Sequence, residues 1–188
     1  MQKKLPSLQV FSVVVALFLS FALFNAPVYA TEATPLLQGA MKDFTLQPTP
    51  KQWPDAVFKD VAGKPVKLSS FHGKLVLLTL WATWCPYCAQ ELPGLSDLQA
   101  MMDPTKFMVL PISIDKEGAR IAKKYLEEKS INLPTYADPK TEVSLALETH
   151  GIPFSVLLDK DGREIGRVHG QTDWMAPESI ALIKAYIK

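Results

Sequence analysis

Cys85 and Cys88 are the only cysteines in a chain of 188 residues. They sit in Trp81-Ala82-Thr83-Trp84-Cys85-Pro86-Tyr87-Cys88, between the apolar run Leu75-Val76-Leu77-Leu78-Thr79-Leu80 and a segment of helical pattern from Ala89 to Met102. A cysteine at the opening of a helix has its sulfur among unpaired backbone N–H groups at the positive end of the helix dipole. Those donors favour thiolate over thiol and lower the cysteine pKa. Pro86 suits the first helical position, where its missing N–H costs nothing and its φ is preset. Cys88 then falls about one turn further in, near enough to close a ring with Cys85. Such a pair can exchange disulfides: Cys85 attacks as thiolate, and Cys88 resolves the mixed disulfide that results.

Other uses of two cysteines fit less well. A crosslink spanning so short a loop removes little chain entropy, which argues against a stabilising staple. Two thiols supply half of a tetrahedral zinc site, and the three histidines, His72, His150 and His169, are scattered. No metal and no bound cofactor are expected. A non-catalytic copper carrier remains an alternative on the thiols alone. A thiol peroxidase of the peroxiredoxin type would need a Thr four positions before its cysteine, where this chain has Trp81.

Glu91 lies three residues past Cys88, on the same helical face one turn further in. A partly buried carboxyl there could take or return the proton of the resolving thiol. A solvent-facing Glu in an early helical turn is the competing reading, and both stay open. Trp84 reads as an apolar rim for docking, Tyr87 as an exposed aromatic between the cysteines, and Trp81 as packing that holds the loop. For Pro153 the residues alone leave a cis peptide bond and an ordinary strand-entry proline equally open.

The elements that must position these groups begin after an export segment. Lys3 and Lys4 precede an apolar run from Leu8 to Phe24, and Val28-Tyr29-Ala30 ends in small residues. That is the pattern of a secretory signal cleaved after Ala30, with an uncleaved membrane anchor as its alternative. Removing 30 residues leaves 158 and takes the net charge from +1 to −1, which gives no electrostatic case for nucleic acid as a partner. Residues 31–54, rich in Pro, Thr and Gln, read as an extended leader, and 55–188 as one domain. Within it, Asp55–Lys59 and Pro65–Leu68 read as a hairpin, and Ser69–Gly73 as a single helical turn. Lys74–Leu80 reads as a strand buried on both faces, and Phe107–Ile114 as the next. Glu117–Lys129 reads as an amphipathic helix with Ile121, Tyr125 and Leu126 inward, its charged run a solvated face stiffened by i,i+4 pairs. Pro134–Ala137 is a short strand, Glu142–Thr149 a helix, Phe154–Leu158 with Glu164–His169 a hairpin, and Pro177–Ile187 a closing helix.

The Trp-Ala-x-Trp-Cys-x-x-Cys turn between a buried strand and a helix resembles the thioredoxin fold. Several features narrow the resemblance to the exported TlpA/ResA-like thiol–disulfide oxidoreductases. They are the hairpin before Gly73-Lys74, Glu91 after the dithiol, and the extra strand–helix segment around Leu133 to Thr149. Gly151-Ile152-Pro153 and Gly166-Arg167-Val168-His169-Gly170…Asp173-Trp174 add to them. Pro86-Tyr87 and Phe154-Ser155 depart from the residues usual there. Thr79 stands where thioredoxins carry a buried acid.

The resemblance implies an α/β, thioredoxin-like three-layer sandwich, a mixed central sheet with helices on both faces, an N-terminal β-hairpin and a central strand–helix insertion. It implies a cis Pro153 beside the dithiol, and partner docking on Trp84, Pro86, Tyr87 and Ile152. It further implies a periplasmic reductant of disulfides in exported proteins, for example the haem-attachment cysteines of cytochromes c, recharged by a membrane electron donor. A monomer is expected.

Overall fold

The computed structural model describes residues 36–149 and 151–187, so the export segment 1–30 and His150 lie outside the described residues. Eight strands form one sheet: β1 (Thr45–Lys51), β2 (Val57–Asp60), β3 (Pro65–Lys67), β4 (Leu75–Trp81), β5 (Phe107–Ser113), β6 (Tyr136–Ala137), β7 (Phe154–Leu158) and β8 (Glu164–His169). Among the described residues four α-helices accompany them: α1 (Pro86–Met101), α2 (Ala119–Glu128), α3 (Glu142–Ala146) and α4 (Pro177–Tyr186). The spatial order is β1-β8-β7-β4-β5-β6-β2-β3. β5 pairs in parallel with β4 and β6, and every other neighbouring pair is antiparallel.

β4 is central, and all seven of its residues are buried, as its unbroken apolar run requires. Alternate side chains serve opposite faces. Leu75, Leu77 and Trp81 pack with Leu92, Leu95 and Leu98 of α1, Leu126 of α2 and Leu182 of α4. Val76, Leu78 and Leu80 pack with Phe58, Leu68 and Val143 of α3. Helices thus cover both faces, α1, α2 and α4 on one and α3 on the other, where Phe58 of the edge hairpin also packs. The hairpin turns at Gly63, which has positive φ, and the Asp60 carboxylate accepts the Lys64 N–H.

The stretch read as an extended leader is, in its described part, built into the domain. β1 pairs with β8, Thr45 opposite Arg167 and Leu46 opposite Gly166, while Met41, Phe44 and Trp53 are buried. Pro48 and Pro50 lack the N–H that an inner strand must donate, so this strand can only be an edge. Gly166 permits the approach: a Cβ there would lie 2.5 Å from the Phe44 ring and 2.6 Å from the Thr45 carbonyl oxygen.

In α2 the inward residues are Ala119, Ala122 and Leu126, with Tyr125 half-buried against Trp81. Ile121, expected inward, is exposed, because it sits about 100° round the helix from Ala122. The Lys123–Glu127 and Lys124–Glu128 pairs form on the outer face. α3 is shorter than its sequence pattern and ends at Ala146.

Candidate active site

β4 delivers the chain to the site. After Trp81 the loop is held by Asp115, which lies just beyond β5. Its carboxylate accepts the Thr83 N–H at 3.0 Å and the Thr83 hydroxyl at 2.8 Å, and the Ser113 hydroxyl at 2.6 Å. Cys85 then caps α1: its backbone is extended, and its sulfur accepts the Cys88 N–H at 3.2 Å. Pro86 takes the first helical position as expected. Cys85 and Cys88 are joined in a disulfide, their Cα atoms 5.3 Å apart. The sulfur of Cys85 thus sits at the helix N-terminus with an N–H pointing at it, the arrangement that stabilises a thiolate once the bond is reduced. Cys85 is 5% exposed and Cys88 1%. Of the two, Cys85 is the more exposed.

Around the disulfide the surface is aromatic, with Trp84 66% and Tyr87 60% exposed. The Ile152–Pro153 peptide is cis, as the resemblance implies. Phe154 pairs with Leu80 in the antiparallel register, so Pro153 lies at the end of β4 from which the Cys85 loop departs. Thr79 is buried in that strand and accepts the Ser155 hydroxyl at 3.0 Å, a neutral pair where thioredoxins carry an acid.

Glu91 is buried on α1, one turn beyond Cys88, and its carboxylate accepts the Thr172 N–H. Burial raises its pKa to about 7, against the opposing pull of that N–H and of the Trp174 indole. The indole Nε1 is buried and completes no hydrogen bond, so its pull is that of a nearby dipole only. A pocket of about 360 Å³ lined by Gln90, Glu91, Gln171 and Asp173 opens beside the carboxyl. A carboxyl of this pKa can carry a proton at neutral pH, as a surface glutamate cannot.

The structure brings Cys85, Cys88, Glu91, Pro86, Trp84 and Tyr87 together on one helix and its entry loop, with Ile152 and Pro153 from the facing loop. Among the described residues no group of three or more His, Cys, Asp or Glu side chains could hold a metal ion. His72 and His169 stand apart, the latter against the Phe154 ring. Sequence reasoning missed Asp115 and Thr83, which fix the loop before Cys85. An acid two residues past a buried parallel strand, at the strand end where such sheets build their sites, was the available signal.

A model of the AhpC/TSA family matches residues 38–163. The thiol-disulfide oxidoreductase ResA of Bacillus cereus is 26% identical over 72% of this chain and 78% of its own length. Among solved structures, a protein assigned as thiol:disulfide interchange protein DsbE from Chlorobium tepidum is 26% identical, with a TM-score of 0.63, covering 77% of this chain and all of that one. A secreted thiol-disulfide isomerase from Corynebacterium glutamicum gives a TM-score of 0.60 at 16% identity, over 77% of this chain and 90% of that one, a likeness of fold.

Proposed function

The chain belongs to the AhpC/TSA family and is a thiol–disulfide oxidoreductase of the thioredoxin fold, and from that premise we propose that it is an exported reductant of partner-protein disulfides in which Cys85 is the nucleophile. The observation that carries the proposal is the sulfur of Cys85 at the N-cap of α1, accepting the Cys88 N–H. The Cys85 thiolate attacks one sulfur of a partner disulfide, whose S–S bond breaks to leave a partner thiolate and a Cys85–partner mixed disulfide. The Cys88 thiolate then attacks the Cys85 sulfur, the ring closes and the second partner thiolate departs. Two electrons pass from the dithiol to the partner, and the two partner thiolates take up two protons.

Glu91 suits the proton work, since a carboxyl with a pKa near 7 can accept the Cys88 proton before ring closure and return it on re-reduction. Trp84, Pro86, Tyr87 and Ile152 form the partner-docking surface, and Pro153 borders it. Export rests on the basic, apolar and small-residue order of 1–30, with the domain acting in the periplasm, free or anchored by that segment. Among the described residues no helix is long and apolar enough to cross a membrane. The haem-attachment cysteines of cytochromes c are the partner class proposed, with a membrane donor restoring the dithiol. Trp81 at the position four before Cys85, buried against Tyr125, does not favour a peroxidase.

The test is trapping. A Cys88→Ser protein is expected to accumulate mixed disulfides with its partners through Cys85, resolved by mass spectrometry of the crosslinked peptides. Adducts formed through Cys88 in a Cys85→Ser protein, and not the reverse, would overturn the assignment of the nucleophile.

A further inference from the structure

The pocket of about 360 Å³ beside Glu91 takes no part in the exchange steps above. Its walls come from α1, with Gln90, Glu91 and Gly94, and from the segment before α4, with Gln171 and Asp173 among them. None of Trp84, Tyr87, Ile152 and Pro153 lines it, so it is separate from the docking surface. The inner sulfur has no such opening: Cys88 is 1% exposed. Glu91, one turn further along the same helical face, keeps a path to water. The Thr172 N–H lies on Oε1, whereas Oε2 accepts no hydrogen bond and is still touched by solvent, unlike the sealed indole nitrogen of Trp174.

Gly94 keeps this path wide. A glycine in a helix interior costs stability relative to alanine, and a close approach of neighbouring atoms is the usual reason to keep one. No approach demands it here, since a Cβ on Gly94 would meet only the Met175 Cγ, at 3.5 Å, an ordinary contact. What the missing side chain leaves is space. Gly94 lies three residues past Glu91 on the same face, so a long side chain there would fill the pocket next to the carboxyl. At the surface the exposed Gln171 amide donates to Gln90 Oε1 at 2.9 Å, a neutral pair between the two walls. Among the described lining residues Asp173 is the only titratable side chain besides Glu91, and its negative charge favours a proton there.

We propose that this pocket is the port through which Glu91 exchanges its proton with water, and that Gly94 holds it open. This role presupposes that Glu91 carries the Cys88 proton, as read above, and deepens that reading. Before ring closure the Cys88 S–H bond breaks and a Glu91 O–H bond forms, which leaves a thiolate and a neutral carboxyl. The carboxyl then passes the proton to water entering the pocket, and the carboxylate is restored. No electrons move in either transfer. Because the port is separate from the docking surface, the proton leaves while the partner still covers Cys85.

The experiment admits a probe through the port. Glu91→Ala removes a methylene and its carboxylate, and acetate is that fragment with one hydrogen added. Reduced protein is mixed with an aromatic disulfide whose thiolate is coloured: attack by Cys85 releases the first thiolate, and resolution by Cys88 releases the second. Glu91→Ala is expected to slow the second release about a hundredfold at neutral pH, and acetate at constant ionic strength to restore about tenfold of it, where chloride restores none. Gly94→Leu, which fills the pocket, and Gln171→Trp, at its exposed mouth, are each expected to abolish that recovery when added to Glu91→Ala. The first release reports whether a variant is folded; should Gly94→Leu lose it, Gln171→Trp alone decides. No recovery with acetate, or a recovery that the added substitutions leave intact, would overturn the port while leaving Glu91 as the proton carrier. An undiminished second release in Glu91→Ala would overturn the carrier, and the port with it.

Discussion

Glu91 lies on the buried face of the redox helix with the Thr172 N–H on its carboxylate, whereas Glu164 opens β8 beside β1 with four N–H donors on its own. Both side chains are buried. Burial pushes both pKa values up, but for Glu164 the Arg167 and Gln47 hydrogen bonds, the Arg167 charge and the Trp53 indole outweigh it and hold the carboxyl below its ordinary range. For Glu91 nothing of comparable strength opposes burial, and the pKa rises to about 7. Loss of water is therefore common to the two sites, and the partners decide the outcome. A carboxylate given a guanidinium becomes a fixed part of the fold, while one given a single amide keeps a proton it can lend.

The comparison breaks most visibly at Arg167. Arg167→Leu would leave the Glu164 charge buried without its cation and is expected to cost about 3–5 kcal/mol at neutral pH, read by urea denaturation. It also frees the Leu147 carbonyl behind α3. Because the folded pKa of Glu164 is depressed, its stabilisation is present above the unfolded value and is lost as pH falls through the folded one. The deficit of the variant should accordingly shrink in acid, where Glu164 protonates in both proteins. Glu164→Gln added to Arg167→Leu should recover much of the loss at pH 7, since it removes the orphaned charge. A deficit independent of pH would mean that the guanidinium acts by packing alone.

Glu91→Gln sharpens the contrast from the other side. Its folded pKa of about 7 lies above the ordinary 4.5, so the unfolded chain ionises first as pH rises. Stability from this residue is full below the unfolded value and declines until pH passes the folded pKa, by about 3 kcal/mol. Denaturation of the oxidised protein at pH 5 and pH 8 should show the wild type losing about that much more than Glu91→Gln over the interval. The same variant should slow resolution of the mixed disulfide by about a hundredfold and flatten its pH profile near 7. Equal pH dependence in the two proteins would return Glu91 to the role of an ordinary helix residue.

How much of this was legible depended on how local each signal was. The dithiol, β4 and α1 could be read because a continuous apolar run, a proline at the helix start and leucines at helical spacing sit within about 25 residues. β1 could not, because two prolines and a polar composition look the same in an edge strand as in a loop. Ile121 was misplaced by one step round α2, since short helices rich in Lys and Glu offer several apolar stripes of similar quality. The site's supports were the least legible. Asp115 reaches Thr83 across 32 positions, Thr172 reaches Glu91 across 81 and Trp53 reaches Glu164 across 111. No periodicity records such pairings; the sheet order creates them.

The smallest effect belongs to a cation beside the same Trp53. Lys51 stands 3.7 Å from the ring centroid and 3.1 Å from the Glu148 carboxylate, while Arg167 lies 5.1 Å from the ring. By distance alone Lys51 is the better placed of the two. Yet its side chain is 43% exposed and that of Glu148 69%, so water already solvates both charges and salt screens their attraction. Lys51→Ala is therefore expected to cost only about 0.5 kcal/mol, less in high salt. Thermal or urea denaturation at low and high ionic strength reads both numbers. Suppose instead that Lys51→Ala proved as damaging as Arg167→Leu. Proximity would then govern these cations more than desolvation does, and the reason given for the opposite ionisation of Glu91 and Glu164 would fail with it.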